Sequence, residues 1–138
     1  MDSLGTAPAT IGVLLIADDG DLIEAISTLF DLDERFRVST AVPDVGEADP
    51  VATARFPDVV VVDLDVAEGG ADLVRELRRW APDAKLVAIS SFPDPLTLFG
   101  VLVRGGDAYL DRATAWTDLI PTVCELCGLP GGRHPADA

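Results

Sequence analysis

Three aspartates, a serine and an arginine stand at the ends of apolar runs in the sequence. Asp18 and Asp19 follow the first run, Asp63 closes the third, Ser90 closes the fourth, and Arg112 follows the last. Carboxylates that converge repel one another, and a hard divalent cation, which prefers oxygen ligands, removes that conflict. These residue types therefore indicate a cation site with a hydroxyl group and a fixed positive charge beside it.

A cation at such a site favours phosphoryl chemistry. It would neutralise an incoming phosphoryl group and polarise it for attack by a carboxylate. The hydroxyl of Ser90 and the guanidinium of Arg112 would then hold the phosphate oxygens. Each residue alone also has a structural interpretation, because aspartates after strands commonly form turns or helix caps. The functional interpretation depends on the whole set lying at successive strand ends.

The apolar runs that precede these residues predict a parallel β-sheet. Runs that are apolar at consecutive positions are typical of strands covered on both faces, whereas a weaker, alternating run indicates a half-exposed edge strand. The predicted strands are 11–17, 36–42 (the weaker run), 59–62, 85–90 and 107–110. Open parallel sheets bind ligands beyond the carboxyl ends of their strands, which is where the five polar residues fall.

Segments with helical spacing of apolar residues lie between the predicted strands. They are 21–34, 71–80, 95–104 and 113–127, with Thr114 as a cap and Pro121 at an expected kink of the last one. The segment 44–56 contains Pro50, so only a short helix fits there. Strands that alternate with helices predict an α/β fold with a doubly wound, five-stranded parallel sheet and five helices.

Composition argues against several other classes of function. Acidic residues number 24 against 10 basic ones, so direct nucleic-acid binding by this chain is not expected. No run approaches the ~20 apolar residues that cross a membrane, and the N-terminus lacks a signal-peptide pattern, so a cytoplasmic protein is expected. Cys124 and Cys127 form a C-x-x-C motif near the end of a predicted helix. Two small residues that pack on the buried face of that helix are a simpler interpretation of the motif than a redox or zinc site.

Four stretches of the sequence resemble the receiver domains of bacterial two-component response regulators. They read VLLIADD, PDVVVVDLD, KLVAISS and GGDAYLDR, and the matching region runs from about residue 10 to residue 127. The resemblance implies a flavodoxin-like (CheY-like) fold with strand order 2-1-3-4-5, in a style close to NarL/LuxR-type regulators. It places the receiver domain at 11–128, and the residues on either side are expected to form a flexible N-terminus at 1–10 and a flexible tail or the start of a linker at 129–138.

The resemblance assigns a role to each acidic residue of the set. Asp63 matches the aspartate that accepts a phosphoryl group from a histidine kinase or phosphotransfer protein. Asp19 matches the acid that binds Mg²⁺ directly, and Asp18 matches the one that acts through water. Asp63 is itself a ligand of the metal in this family, and the backbone carbonyl of Asp65 matches the third protein ligand.

The resemblance also implies a conformational switch. Ser90 matches the hydroxyl residue that moves toward the phosphate, and Tyr109 matches the aromatic residue that changes rotamer with it. The pair reshapes the face formed by helix 95–104, strand 107–111 and helix 113–127. Helix 95–104 is apolar nearly all round, which leaves open whether its surplus surface forms a homodimer or is buried under its own domain.

Two departures from the family pattern keep alternatives open. Arg112 stands where the family has a lysine, and the loop LDVAEGG after Asp63 lacks the usual proline and is one residue short. The leading hypothesis is a phosphorylatable signalling switch and not a conventional enzyme. The second is a pseudo-receiver, a phosphorylation-independent module for protein interaction or ligand sensing. The third, an enzyme or cofactor carrier on the same fold, finds no phosphate-binding glycine motif in the sequence.

Overall fold

A computed structural model of the chain describes residues 10–42, 57–65, 71–91 and 94–130. The elements in chain order are β1 (Ile11–Ile16), α1 (Gly20–Asp31), β2 (Phe36–Val42), β3 (Val59–Asp63), α2 (Ala71–Trp80), β4 (Lys85–Ser90), α3 (Pro95–Val103), β5 (Ala108–Asp111), a 3₁₀ turn (Arg112–Thr114) and α4 (Ala115–Cys127). The short helix expected within 44–56, most of the loop after Asp63 and both predicted flexible ends lie outside these ranges. None of the helices in the described ranges has the length and apolar character that spanning a bilayer requires.

The five strands form one parallel sheet with the order β2-β1-β3-β4-β5, which confirms the predicted order 2-1-3-4-5. The chain leaves β1 toward one edge and returns to β3 on its other side, so the order reverses between these two strands. A ligand crevice is expected at the carboxyl ends of strands that flank such a reversal. Ile16 pairs with Val62, so the residues that follow β1 leave the sheet at the level of Asp63.

Side chains of the central strands alternate between two apolar layers. All five residues of β3 are buried, which explains why its sequence is apolar without alternation. One layer packs under α2 and α3, and the other packs under α1 and α4. The first contains Leu14, Ile16, Val60, Val62, Leu73, Leu77, Leu86 and Val101, and the second contains Val13, Leu15, Ile26, Phe30, Val61, Ile89, Leu119 and Val123. The sheet is thus covered on both faces.

Helix α1 begins one residue earlier and ends three residues earlier than the sequence pattern predicts. Its last residue is Asp31, and the predicted continuation to residue 34 is wrong. Asp33 accepts hydrogen bonds from the backbone N–H and the guanidinium of Arg35, which turns the chain out of the helix. Such local side-chain bonds compete with the helical backbone pattern and are not visible in apolar spacing.

The entry into α4 also differs from the prediction. Residues 113 and 114 belong to a 3₁₀ turn, because the side chain of Asp111 accepts a hydrogen bond from the backbone N–H of Ala113. Thr114 occupies the cap position of α4 but makes no side-chain cap hydrogen bond. The helix continues past Pro121 to Cys127, as predicted for its end. Strand β5 runs one residue further along the chain than expected and ends at Asp111, directly before Arg112.

Candidate phosphoryl-acceptor site

Strand register brings the polar residues of the sequence set to one edge of the sheet. Asp63 is level with Ile89, and Ser90 is level with Asp111, so β3, β4 and β5 end together. The first residues of α1 leave β1 beside them. Contacts at this edge join Arg112 to Asp19 and Asp63, two of the acids that the sequence analysis expected to find beside it.

Asp19 is fixed by the start of α1 and by Arg112. Its Oδ1 accepts hydrogen bonds from the backbone N–H groups of Asp21 (2.9 Å) and Leu22 (3.3 Å), which caps the helix. Its Oδ2 accepts a hydrogen bond from Nη2 of Arg112. The hydrogen bond from Leu22, followed by that from Arg112, lowers the pKa of Asp19 below its ordinary value. Asp19 is therefore an ionised carboxylate with one oxygen committed to the helix.

Asp63 is the most enclosed acid of the site, with 2% of its surface exposed. Its Oδ1 accepts a hydrogen bond from the backbone N–H of Asp65 at 3.0 Å, and its Oδ2 lies 3.4 Å from Nη1 of Arg112. Burial raises the pKa of Asp63, and the nearby charges of Asp65 and Asp18 raise it further, against the opposing effects of the Asp65 N–H and Arg112. The carboxylate is thus held in place while its charge is only partly compensated.

Asp65 contributes a side chain that the sequence analysis did not predict. Its Oδ2 accepts a hydrogen bond from the backbone N–H of Ser91 at 3.1 Å and lies 3.5 Å from Nη1 of Arg112. The prediction used only the backbone carbonyl of this residue, and that role stays a prediction. The available signal was the D-L-D spacing, because a carboxylate two residues beyond Asp63 can project toward the same edge.

Arg112 lies between three carboxylates, which come from two parts of the chain. It contacts Asp19 after β1, Asp63 at the end of β3, and Asp65 just beyond it. The planar guanidinium suits this arrangement because its donors point in several fixed directions. The sequence analysis expected Arg112 to hold phosphate oxygens. In this structure it holds the acids.

Of the remaining predicted site residues, Ser90 and Asp18 lie at strand ends, and Tyr109 lies two residues before the end of β5. Ser90 is buried at the end of β4, and Tyr109 is half-buried in β5, level with Ala88 and packed against the layer under α2 and α3. Asp18 is exposed and acts on Asp63 through its charge. Switching by Ser90 and Tyr109 and metal contact by Asp18 stay predictions.

The acidic groups have the chemistry that a divalent cation requires. Oδ2 of Asp19 and Oδ2 of Asp63 face one and the same cationic group, so the fold already directs two anionic oxygens at a single positive charge. Mg²⁺ usually takes one or two carboxylates, with water and phosphate oxygens completing its shell. Within the described ranges, no three histidine, cysteine or acidic side chains are gathered in a metal-binding group. Asp19 and Asp63 would hold a divalent cation, and the ion would supply charge neutralisation at this edge.

The C-x-x-C motif lies away from this edge, in α4. Cys124 is buried, Cys127 is half-buried, and both are free thiols. Burial raises the pKa of each thiol, which disfavours the reactive thiolate form. The prediction that these cysteines pack rather than react is consistent with that environment.

Sequence comparison finds response regulators among the relatives of this chain. The nitrate/nitrite response regulator protein homolog of Haemophilus influenzae is 30% identical over 103 residues, which cover 74% of this chain and 50% of that protein. The photosynthetic apparatus regulatory protein RegA of Cereibacter sphaeroides is 29% identical over 101 residues, which cover 72% of this chain and 54% of that protein. The chain thus spans about half the length of the curated relatives it matches. No family model matches the sequence.

Comparison with solved structures finds the same fold. The signal receiver domain of the putative response regulator NarL from Mycobacterium tuberculosis has a TM-score of 0.78 at 20% identity, covering 88% of this chain and 98% of that one. The isolated receiver domain of RcsB from Salmonella enterica, solved with the phosphomimetic BeF₃⁻, has a TM-score of 0.79 at 18% identity, covering 91% and 92%. A response regulator from Burkholderia pseudomallei with a phosphorylated aspartic acid and a calcium ion has a TM-score of 0.69 at 22% identity, covering 86% and 71%. These structures show that the chain has the fold of a receiver domain, and the sequence relatives show that it belongs to the bacterial two-component response regulators.

Proposed function

We propose that Asp63 accepts a phosphoryl group from a histidine kinase or phosphotransfer protein in a Mg²⁺-dependent reaction, and that this modification switches a protein-interaction face. The observation that carries the proposal is the placement of Asp63. Its carboxylate is buried and oriented by the N–H of Asp65, and its second oxygen faces a cationic group at the ligand-binding edge of the sheet. Response regulators among the sequence relatives support the same activity.

The geometry suits attack by one oxygen of Asp63. Oδ1 is held by a backbone N–H, so Oδ2 is the oxygen that faces the cationic side of the site. When Oδ2 attacks the phosphorus, a new O–P bond forms, the P–N bond of the donor phosphohistidine breaks, and the imidazole leaves. Arg112 and Ser90 are the groups at this edge that could hold the transferred oxygens. Asp63 would be the phosphoryl acceptor, and the chain would be a switch rather than a conventional enzyme.

Strand pairing offers a route from the site to a surface. Ser90 is level with Asp111, and Ala88 is level with Tyr109, so a change at the end of β4 bears directly on β5. Helices α3 and α4 flank β5, and the three elements form what we call the α3–β5–α4 face. We take this face as the output of the switch, with Ser90 and Tyr109 as its moving parts.

Helix α3 supplies the apolar surface of that face. Only Gly100 and Val101 of this helix are buried, which does not agree with the alternative that the helix lies wholly beneath its own domain. Its exposed apolar side chains are Leu96, Leu98, Phe99, Leu102 and Val103. The helix carries no charged residue, so two copies could pair here without bringing like charges together, although the chain as a whole has a net charge of −14.

We therefore take a second copy of the chain as the occupant of the α3–β5–α4 face after phosphorylation. Sedimentation with and without beryllofluoride tests this part of the proposal. A rise to twice the mass on adding beryllofluoride is expected, and Phe99→Ser should suppress it. An unchanged mass in the wild type would count against the dimer.

The remaining parts of the proposal concern the setting of the domain. Residues 11–128 would form the receiver domain. A cytoplasmic location fits a kinase partner. The net charge of −14 opposes direct contact of this chain with nucleic acid, so it would affect transcription through contacts with protein.

Intact-mass spectrometry after incubation with acetyl phosphate and Mg²⁺ tests the central step. The wild type is expected to gain one phosphoryl group, and Asp63→Asn is expected to gain none. Asp83→Asn is the matched control, because Asp83 is an exposed acid before β4, at the opposite edge of the sheet, and this variant should gain the group. No gain in the wild type would favour the alternative, a phosphorylation-independent interaction or ligand-sensing module.

A further inference from the structure

Arg112 engages the same carboxylate oxygens that a divalent cation would need. Oδ1 of Asp19 is committed to the first turn of α1, which leaves Oδ2, and Nη2 of Arg112 donates to that oxygen. Oδ1 of Asp63 is committed to the N–H of Asp65, which again leaves Oδ2, and Nη1 of Arg112 faces it at 3.4 Å. One guanidinium thus pairs with the remaining oxygen of both acids.

We infer that Arg112 and a divalent cation are mutually exclusive partners of Asp19 and Asp63, so that cation binding requires the Arg112 side chain to leave. The guanidinium of Arg112 and a divalent cation that shared these oxygens would repel each other, because both are positively charged. Mg²⁺ also tolerates little departure from octahedral geometry. A lysine presents all its donors on one nitrogen, whereas the fork of Arg112 reaches both Oδ2 atoms through separate nitrogens. The arginine therefore makes the metal-free site a paired, resting state.

Release of Arg112 would also carry a structural consequence. Arg112 is the first residue of the 3₁₀ turn that leads from β5 into α4, and its contacts tie that junction to Asp19 and Asp65. Cation binding would detach the junction from the acids and free the guanidinium for a phosphoryl group. This inference rests on the proposed function and adds a step before it: occupancy of the cation site is itself sensed at the β5–α4 junction.

Calorimetric titration of the full chain with MgCl₂ tests the competition. Arg112→Met removes the guanidinium but keeps the length of the side chain, and it is expected to bind Mg²⁺ roughly tenfold more tightly than the wild type. Arg75→Met is the control, because it removes one positive charge from the exposed side of α2, away from the site, and should bind as the wild type does. Equal affinity of the wild type and Arg112→Met, or binding by neither, would overturn the inference.

Arginine side-chain NMR of the wild type gives a readout that does not depend on a variant folding. Addition of MgCl₂ should shift the Nε–Hε signal of Arg112, while the signal of Arg78, at the opposite edge of the sheet, should stay in place. Binding of Mg²⁺ with no change at Arg112 would contradict the inference. Wild-type protein that fails to bind Mg²⁺ while Arg112→Met binds it would support it.

These outcomes are separate from those of the phosphorylation test. Phosphoryl uptake by the wild type together with equal Mg²⁺ affinities would leave the proposed function in place and remove the inference. Tighter Mg²⁺ binding by Arg112→Met, with no phosphoryl uptake by the wild type, would support the inference and remove the proposed function.

Discussion

Two arginines, at opposite edges of the same sheet, gather polar groups in different ways. Arg78, at the end of α2, donates to one carboxylate and otherwise to backbone oxygens at the amino edge of β4 and β5. Its acceptors are Asp107 Oδ2 and the carbonyls of Ala81, Pro82, Ala84 and Gly105, at 2.7 to 3.2 Å. Arg112, at the carboxyl edge, contacts three carboxylates.

The hydrogen-bond acceptors around the two arginines indicate that Arg78 and Arg112 have different roles. Backbone carbonyls that receive a donor become part of a fixed turn, and Asp107 is held further by the backbone N–H of Leu86. The Arg78 cluster therefore closes the amino edge as a structural clamp. The Arg112 cluster leaves negative charge in excess, with a buried acid at its centre, and such groups are typical of functional sites.

Removal of the clamp should have the largest effect on stability. Arg78→Met leaves four carbonyls and Asp107 without their shared donor, and it is expected to lower the free energy of unfolding by about 3 kcal/mol. Urea denaturation followed by circular dichroism measures the change. A loss as small as that of an exposed arginine such as Arg79, within about 0.5 kcal/mol, would contradict the clamp.

Lysine substitution should separate the two arginines. Arg78→Lys is expected to cost about 2 kcal/mol, because three donors on one nitrogen cannot serve five acceptors. Arg112→Lys is expected to change stability by no more than about 0.5 kcal/mol, because Arg112, Asp19 and Asp65 are partly exposed and ion pairs in contact with water contribute little to stability. Equal losses in the same denaturation assay would mean that both clusters are structural.

Neutralising the buried acid should stabilise the fold modestly. Burial raises the pKa of Asp63, so its ionised form opposes folding at neutral pH, and Asp63→Asn is expected to gain about 1 kcal/mol at pH 7. The gain should shrink as pH falls through the raised pKa, because wild-type Asp63 is then protonated as well. The effect of Asp19 on stability has the opposite sign. Because the pKa of Asp19 is lowered in the folded protein, its ionised carboxylate stabilises the fold at pH values above its ordinary pKa, and this stabilisation is lost as pH falls through the lowered pKa. Urea denaturation of the wild type and of Asp63→Asn at several pH values tests the expected gain. An Asp63→Asn variant that is less stable than the wild type at pH 7 would contradict it.

The sequence predicts the helices and strands around the site better than the hydrogen bonds and ion pairs within it. Helix α2 and strand β4 have the predicted bounds, because consecutive apolar runs and helical spacing directly reflect burial. Such patterns do not predict the early end of α1 at Asp31 or the 3₁₀ turn before α4. Both depend on aspartate side chains that compete for backbone N–H groups.

The position of each acid could be predicted, but its partner could not. Strand ends identify Asp19, Asp63 and Arg112 as neighbours, since parallel strands finish at one edge. Which oxygen meets which nitrogen depends on the register of β1, β3 and β5 and on the helix cap that commits Oδ1 of Asp19. The sequence analysis assigned Arg112 to phosphate from its charge and its place after the last strand, and in this structure Arg112 pairs with the acids.

Locating the phosphoryl group within the chain tests the central claim most directly. Wild-type protein treated with acetyl phosphate and Mg²⁺ can be reduced with borohydride, which converts an aspartyl phosphate to homoserine, and the modified residue can then be found by peptide mass spectrometry. Homoserine at position 63 is the predicted result. Modification at another acid of the cluster, such as Asp19 or Asp65, or at none, would contradict the assignment of Asp63 as the phosphoryl acceptor.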